Sequence, residues 1–79
     1  MPNVADRIKR TYWVNGKCIS VTLERFLHQS LDEIAHADKR SANDIITSLH
    51  HSHGIQALPS AVRVYVVKWY REMLRRRTH

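Results

Sequence analysis

The sequence predicts an α+β fold, mainly helical, in which a β-hairpin precedes three helices. Residues 10–23 are rich in β-branched and aromatic side chains and carry an Asn-Gly pair near their centre. Three later segments repeat apolar residues at the spacing of amphipathic helices. The chain has 79 residues, enough for one domain, and a core of that size usually needs reinforcement by a disulfide, a metal or a second subunit. A single cysteine cannot form an intramolecular disulfide, which leaves a metal or a second subunit, and of these we expect a homodimer.

Asn15-Gly16 predicts the turn of the hairpin. Both central positions of a two-residue type I′ turn need positive φ, which Asn and Gly adopt most readily. If Val14 pairs with Lys17, one face of the hairpin becomes apolar and the other polar. The apolar face holds Tyr12, Val14, Ile19, Val21 and Leu23. The polar face holds Lys9, Thr11, Trp13, Cys18, Ser20 and Thr22. The sequence leaves open whether residues 10–14 pair as an outer strand or form a disordered arm.

Two helices are predicted in the middle of the chain. The first runs from about Arg25 to Asp38, and its apolar stripe is formed by Leu27, Leu31, Ile34 and Ala35. The second begins at Ser41, whose hydroxyl can cap the helix while Asp44 completes a capping box. Gly54 suits the position after its last turn. The buried stripe of this second helix is predicted to be Ile45, Ile46 and Leu49.

A third helix is predicted towards the end of the chain. Pro59 suits its first turn. The apolar residues that follow at helical spacing are Val62, Tyr65, Val66, Trp69 and Met73. The valines also alternate as they would in a strand, but the segment continues to Leu74 and is longer than most strands, which favours a helix. We expect a flexible arm at residues 1–8, a single domain at 9–74 and a basic tail at 75–79.

The charge of the chain indicates a polyanionic partner. The formal net charge is +6 at pH 7, and the basic residues concentrate near both ends. This balance favours nucleic acid over a membrane surface. No apolar run approaches the ~20 residues of a membrane span, and residues 1–10 lack the apolar stretch of a signal peptide. We therefore expect a soluble cytoplasmic protein with no membrane partner.

A chain with one hairpin leaves a strand edge without a partner, and a second copy of the chain can supply one. Two copies of strand 17–23, paired antiparallel about a two-fold axis, form a two-stranded ribbon. The apolar side of this ribbon rests on the helices and its polar side faces outward. A two-stranded ribbon fits the major groove of B-form DNA.

With this arrangement the sequence resembles the ribbon-helix-helix family, which includes the Arc and MetJ repressors. The likeness rests on residues 19–23 for the strand, the apolar stripe of the first helix, and Lys39-Arg40-Ser41 followed by Ile45-Ile46 for the second helix. The sequence is more similar to a subgroup of small bacterial domains with an additional C-terminal helix. The segments that match this subgroup are 9–10, 16–17, 21–24 and 58–66.

The resemblance implies a DNA-binding site on and around the ribbon. The outward strand residues would contact bases: Cys18, Ser20 and Thr22. Phosphates would be contacted by Lys9, Arg10, Lys17, Lys39, Arg40, Ser41 and Ala42. The dimer core would consist of Ile19, Val21, Leu23, Leu27, Leu31, Ile34, Ile45, Ile46 and Leu49. A basic arm that includes Arg7 would follow the DNA backbone or enter a minor groove. Similar sequences often have a long basic residue where this one has Cys18, so we expect affinity to rest mainly on phosphates.

Three further features have an ordinary interpretation beside a functional one. His50 and His53, three residues apart on a helix, could bind a transition metal, but no further ligand is adjacent and we predict no metal site. Cys18 is predicted to be a small strand residue and not a metal or redox thiolate. Trp13 could contact a DNA groove or a partner. More often such a residue is buried, here under the third helix or the second copy of the chain.

We therefore expect a dimeric, sequence-specific transcription regulator of the repressor type, from a bacterium or phage, that binds double-stranded DNA. Whether dimers associate further on DNA stays open. The alternative is an antitoxin-like or adaptor module whose third helix binds a protein partner, because Tyr65, Trp69 and Tyr70 lie near the chain end. No cofactor is expected, and no spacing of Ser, His and acidic residues indicates an enzyme.

Overall fold

The chain folds into a two-stranded antiparallel sheet followed by three helices. The computed structural model describes residues 6–77. It contains strands β1 (Arg7–Val14) and β2 (Lys17–Glu24) and helices α1 (Arg25–Ala37), α2 (Ala42–His53) and α3 (Leu58–Arg77). The predicted α+β class, the hairpin and the three helices are confirmed. No helix within the described part of the chain is both long and apolar enough to cross a membrane.

The hairpin has the predicted turn and register. Asn15 and Gly16 have φ values of 53° and 80°, in the left-handed region that the tight turn needs. Val14 pairs with Lys17, and the pairing continues to the first residue of β1 opposite the last residue of β2. Residues 10–14 thus belong to a paired strand. β1 starts two residues before the domain boundary expected at residue 9, and residues 1–5 of the expected arm lie outside the described residues.

The side chains of the hairpin alternate between a buried face and an exposed face. Four of them point at the helices and are at most 3% exposed: Tyr12, Val14, Val21 and Leu23. Six helical residues beneath them have no exposed surface: Leu31, Ile34, Ile45, Ile46, Leu58 and Val62. Ile19 and Leu49 are half-buried against this cluster. Most residues predicted for the dimer core are therefore already buried within one protomer.

The ends of α1 and α2 are closed by backbone hydrogen bonds. After α1, Arg40 N donates to the Ala35 carbonyl at 2.9 Å and Lys39 N donates to the His36 carbonyl at 3.2 Å. Lys39 has a φ of 56°. This is the Schellman arrangement, with a lysine at the position that glycine usually holds. Gly54, with a φ of 81°, follows the last residue of α2 as predicted.

α3 is a single helix of 20 residues, despite its four valines. Val62 and Val66 are buried, whereas Val64 and Val67 are 52% and 56% exposed on its outer side. Met73, which the periodicity placed on the buried stripe, is 36% exposed, so the buried stripe ends before it. The helix includes the arginines that were assigned to the basic tail, while residues 78–79 lie outside the described residues.

Candidate nucleic-acid interface

Seven exposed side chains form the outer face of the hairpin, on the side away from the helices. β1 contributes Arg7, Lys9, Thr11 and Trp13, and β2 contributes Cys18, Ser20 and Thr22. The three residues predicted to contact bases are thus brought together on one exposed surface. We call these seven residues the outer face. Its two charged residues, Arg7 and Lys9, lie on β1, and Arg7 pairs across the hairpin with Glu24, the last residue of β2, whose carboxylate accepts a hydrogen bond from Arg63.

The outer face is arranged in rows across the two strands. Trp13 lies opposite Cys18, Thr11 opposite Ser20, and Lys9 opposite Thr22. In an antiparallel hairpin closed by a hydrogen-bonded Val14–Lys17 pair, these rows are the non-hydrogen-bonded pairs, whose Cα atoms are only ~4.5 Å apart. Arg25 N donates to the Asp6 carbonyl at 3.1 Å. This bond is expected if hydrogen-bonded and non-hydrogen-bonded pairs alternate along the hairpin, because Asp6 and Arg25 then form a hydrogen-bonded pair. Each β2 residue of the outer face therefore lies directly beside a residue of β1.

Because Cys18, Ser20 and Thr22 belong to non-hydrogen-bonded pairs, their backbone N–H and C=O groups point away from β1. The sheet has two strands, and no backbone hydrogen bond joins the outer edge of β2 to another element within residues 6–77. Such an edge is a template for pairing with another strand. β2 thus presents three consecutive outward pairs of donors and acceptors beside the three predicted base-contacting side chains.

The outer edge of β1 is occupied near the turn. Trp13 N donates to Asn43 Oδ1 at 3.0 Å, and Thr47 Oγ1 donates to the Trp13 carbonyl at 3.4 Å. Both side chains come from the first half of α2. α2 therefore blocks the addition of a strand at this position and places its N-terminus next to the turn end of the hairpin.

The N-terminus of α2 carries the predicted capping box. Asp44 N donates to Ser41 Oγ at 3.0 Å, and Ser41 N donates to the Asp44 carboxylate at 3.2 Å. The backbone amide of Ser41, predicted to hold a phosphate, is therefore bonded to Asp44. The amides of Ala42 and Asn43, in the first turn, have no acceptor within the helix. Lys39 and Arg40, the basic residues predicted beside them, are exposed.

Arg10, another predicted phosphate contact, lies on the inner side of the hairpin. Its guanidinium donates two hydrogen bonds to the Asp32 carboxylate, at 2.9 and 2.8 Å. It also lies over the Tyr12 ring, 5.2 Å from the ring centre. The hydrogen bonds to Asp32 raise the pKa of Arg10. Arg10 thus fastens β1 to α1 and is separate from the outer face. Lys17 is exposed at the turn.

A buried histidine beneath the hairpin was not predicted. His28 is 1% exposed, with Nδ1 2.8 Å from the Tyr12 hydroxyl and Nε2 3.1 Å from the Ile8 carbonyl oxygen. A carbonyl can only accept, so Nε2 carries the proton and Nδ1 accepts from Tyr12. Burial lowers the pKa of His28 and raises the pKa of Tyr12. No local sequence signal identifies this histidine, because both partners lie in β1.

The other histidines and the cysteine form no site in the described chain. His50 is half-buried, His53 is exposed, and His53 Nδ1 lies 3.2 Å from the Leu49 carbonyl oxygen. Residues 6–77 contain no group of three or more His, Cys, Asp or Glu side chains placed to hold a metal ion. Cys18 is exposed and not in a disulfide.

The aromatic residues of α3 are engaged within the protomer. Tyr65 and Trp69 pack against the core, and Trp69 Nε1 donates to the Asp38 carboxylate at 3.2 Å. Tyr70 donates its hydroxyl to the Glu33 carboxylate at 3.1 Å. α3 does not extend over the outer face, where Trp13 remains 58% exposed. The interpretation that the third helix covers Trp13 is wrong.

An antiparallel hairpin with a polar outer face, followed by helices that close one core, is an architecture that can present a β-ribbon to the DNA groove. Comparison with protein families agrees: the model of the ribbon-helix-helix domain matches residues 7–70. The chain belongs to the ribbon-helix-helix family, whose members generally bind DNA as transcription regulators or antitoxins. No curated protein and no solved structure matches the chain.

Proposed function

We propose that this protein is a dimeric, sequence-specific DNA-binding transcription regulator of the repressor type, which inserts a β-ribbon into the major groove. The observation that carries the proposal is the strict alternation in β2. Ser20 and Thr22 are exposed on the outer face, whereas Val21 and Leu23, which alternate with them, are buried with 3% and 0% of their surface exposed. The strand therefore holds its polar side chains in a fixed outward row beside an unpaired edge.

Dimerisation through the edge of β2 is the first element of the proposal. Two copies of β2 paired antiparallel would satisfy the outward backbone groups of Cys18, Ser20 and Thr22 and extend the sheet to four strands. The core of each protomer is already closed, so the second copy adds backbone pairing and covers Ile19, which is half-buried here. Folding of the protomer and formation of the ribbon are thus separable.

Strand spacing determines which strands can reach the bases. Neighbouring strands lie ~4.8 Å apart, so the two outermost strands of a four-stranded sheet are roughly 14 Å apart. The major groove is ~12 Å wide. The two central β2 strands would therefore enter the groove, and the β1 strands would lie against its walls. Arg7 and Lys9, exposed on the outer face of β1, are then positioned for phosphates.

Phosphate binding would be completed by the first turn of α2. The backbone amides of Ala42 and Asn43 and the positive end of the helix dipole favour an anion, and Lys39 and Arg40 add charge. The link between Asn43 and Trp13 fixes this turn relative to the hairpin. The negative charge of Asp44 repels a phosphate, so the positive charges of Lys39 and Arg40 are needed to offset it.

Base recognition would depend on short side chains. Ser20 and Thr22 each offer one hydroxyl, and Cys18 is a weak hydrogen-bonding group, whereas bidentate recognition of a purine needs Arg, Lys, Asn or Gln. We expect modest discrimination between sequences and a steep dependence of affinity on salt concentration.

The test is selection of bound fragments from a random DNA pool, followed by titrations at several salt concentrations. Enrichment of a short inverted repeat is the expected result. Ser20→Ala combined with Thr22→Ala should weaken that discrimination while sedimentation shows an intact dimer. Ser60→Ala, at an exposed position on α3, is the matched control. Unchanged binding of the double variant to every sequence would contradict the placement of β2 in the groove.

A second candidate function is docking of a protein at α3. Val64, Val67 and Leu74 are 52%, 56% and 61% exposed on its outer side, among basic residues. If a partner binds there, Val67→Glu should abolish co-purification of a stoichiometric protein from the native cell and leave DNA affinity unchanged. Absence of any stoichiometric partner at native expression levels would remove this candidate.

A further inference from the structure

Trp13 is the largest side chain on the outer face and is 58% exposed. An exposed indole offers a flat apolar ring and one N–H donor, a combination suited to a surface that is apolar on one side and polar on the other. The helices of its own protomer lie on the opposite side of the sheet, where Tyr12 and Val14 are buried. A second copy joined through β2 adds strands at that edge and leaves the outer face open. Neither residues 6–77 of the protomer nor the proposed dimer covers this indole.

The backbone of Trp13 is held in place from both sides. It is paired with Cys18 across the hairpin, and α2 bonds its N–H through Asn43 at 3.0 Å and its carbonyl through Thr47 at 3.4 Å. The neighbour on β2 has a small side chain, so no bulky group competes for space beside the indole. Asn43 is the second residue of α2, which places Trp13 next to the helix end proposed to hold a phosphate.

We propose that Trp13 is a DNA contact residue that binds the sugar-phosphate backbone at the wall of the groove. The inference rests on the function proposed above. β1 would lie at the wall and not among the bases, so the flat face of the indole packs against a deoxyribose and Nε1–H donates to a phosphate oxygen. Trp13 then adds affinity without charge and without reading sequence, between the row of Ser20 and Thr22 and the N-terminus of α2.

The first test uses the fluorescence of Trp13 itself. The chain has two tryptophans, so Trp69→Phe leaves Trp13 as the only one. Titration with a selected DNA fragment should change the emission of this variant in proportion to the bound fraction. If loss of the Trp69 bond to Asp38 prevents folding, the difference between the wild-type protein and Trp13→Phe supplies the same signal. An emission unchanged at DNA saturation would overturn the inference.

The second test separates an uncharged backbone contact from a cationic one. Trp13→Ala should lower affinity by at least about 100-fold for every DNA sequence, since each copy of the dimer loses a hydrogen bond to a charged group and an apolar contact. Because the indole carries no charge, the slope of log K against log salt should not change. Lys9→Ala, on the same strand and face, is the matched control and should reduce that slope by about two, because each copy of the dimer loses one phosphate contact. Trp13→Phe should give an intermediate loss, because it keeps the ring and removes the N–H.

The remaining outcomes distinguish this inference from the proposed function. Loss confined to particular base pairs would make Trp13 a base contact and overturn the backbone assignment. Full affinity of Trp13→Ala would overturn any DNA contact, and a changed sedimentation mass in that variant would assign the indole to a protein interface. If the wild-type protein binds no DNA at any salt concentration, the proposed function fails and this inference fails with it. If the wild-type protein binds DNA but neither the emission of Trp13 nor the affinity of Trp13→Ala changes, only this inference fails.

Discussion

β1 and β2 are neighbouring strands of equal length, yet the helices hold them very differently. Side chains of α1 and α2 bond to Ile8, Arg10, Tyr12 and Trp13 along β1. On β2, the side chain of the last residue, Glu24, accepts from Arg63 of α3 at 2.8 Å. β1 is thus an anchored strand, whereas β2 is fixed by its pairing to β1 and by its buried side chains. The strand with the free edge is also the one with the short neutral side chains Cys18, Ser20 and Thr22 on the outer face, as the proposed division between recognition on β2 and attachment on β1 requires.

The largest effect is expected from a proline at the free edge. The N–H of Ser20 points away from β1, so Ser20→Pro should leave the hairpin folded while removing a donor from the proposed ribbon. We expect the dissociation constant of the dimer to rise at least about 100-fold, because symmetry removes the donor from both copies and the ring obstructs pairing. Sedimentation equilibrium measures this change.

The matched control for this variant is Thr11→Pro. Thr11 lies directly opposite Ser20 and directs its N–H to the outer edge of β1. The Thr11→Pro variant should therefore remain dimeric. Equal weakening by both prolines, or by neither, would show that the two edges are not functionally distinct.

Acid should weaken the attachment of β1 through His28. Its pKa is lowered in the folded protein by burial, so the unfolded chain binds the proton more readily. The free energy of unfolding should therefore decrease as the pH falls below about 6.5, the ordinary value for histidine, and stop changing below the folded pKa. Urea unfolding at several pH values measures it.

His28→Gln isolates the contribution of this histidine. Glutamine keeps an N–H for the Ile8 carbonyl and does not titrate, so the stability of wild type relative to the variant should be lower at low pH than at high pH. A constant difference between pH 8 and pH 5 would contradict the assigned protonation of His28.

The smallest effect is expected at the bond between α2 and β1. Asn43→Ala removes the acceptor of Trp13 N and should lower the free energy of unfolding by about 1 kcal/mol. Asn43→Asp retains an acceptor at the same place and should lose less. Denaturation of the two variants side by side tests this, and equal stability of Asn43→Ala and wild type would show that the bond contributes nothing to holding β1.

Features encoded by adjacent residues were predictable from the sequence, and features encoded by distant ones were not. The turn at Asn15-Gly16 and the capping box at Ser41 each depend on residues at most three positions apart, and both are confirmed. The polar row of β2 follows from alternation once the turn fixes the register. The sequence alone was therefore sufficient to place Cys18, Ser20 and Thr22 together on the exposed face of β2.

The contacts of Arg10, His28 and Trp13 were missed because their partners are 15 or more positions away. Arg10 was grouped with the other basic residues, but its pairing with Asp32 needs the packing of β1 on α1. No sequence pattern around His28 predicts that its side chain is buried. Lys39 occupies a left-handed conformation for which glycine is the usual signal, yet the predicted end of α1 at Asp38 is within one residue of the observed end at Ala37. Charge and residue type alone did not distinguish structural from exposed groups.

The alternation in the hairpin has a consequence for how such a protein can diversify. None of the seven outer-face side chains contributes to the buried core. Substitutions there leave the packing of Tyr12, Val14, Val21 and Leu23 untouched, and most surface substitutions change stability by less than ~0.5 kcal/mol. A lineage can therefore replace its contact surface residue by residue on a constant scaffold, and a library randomised at these positions would sample new binding preferences with few losses to misfolding.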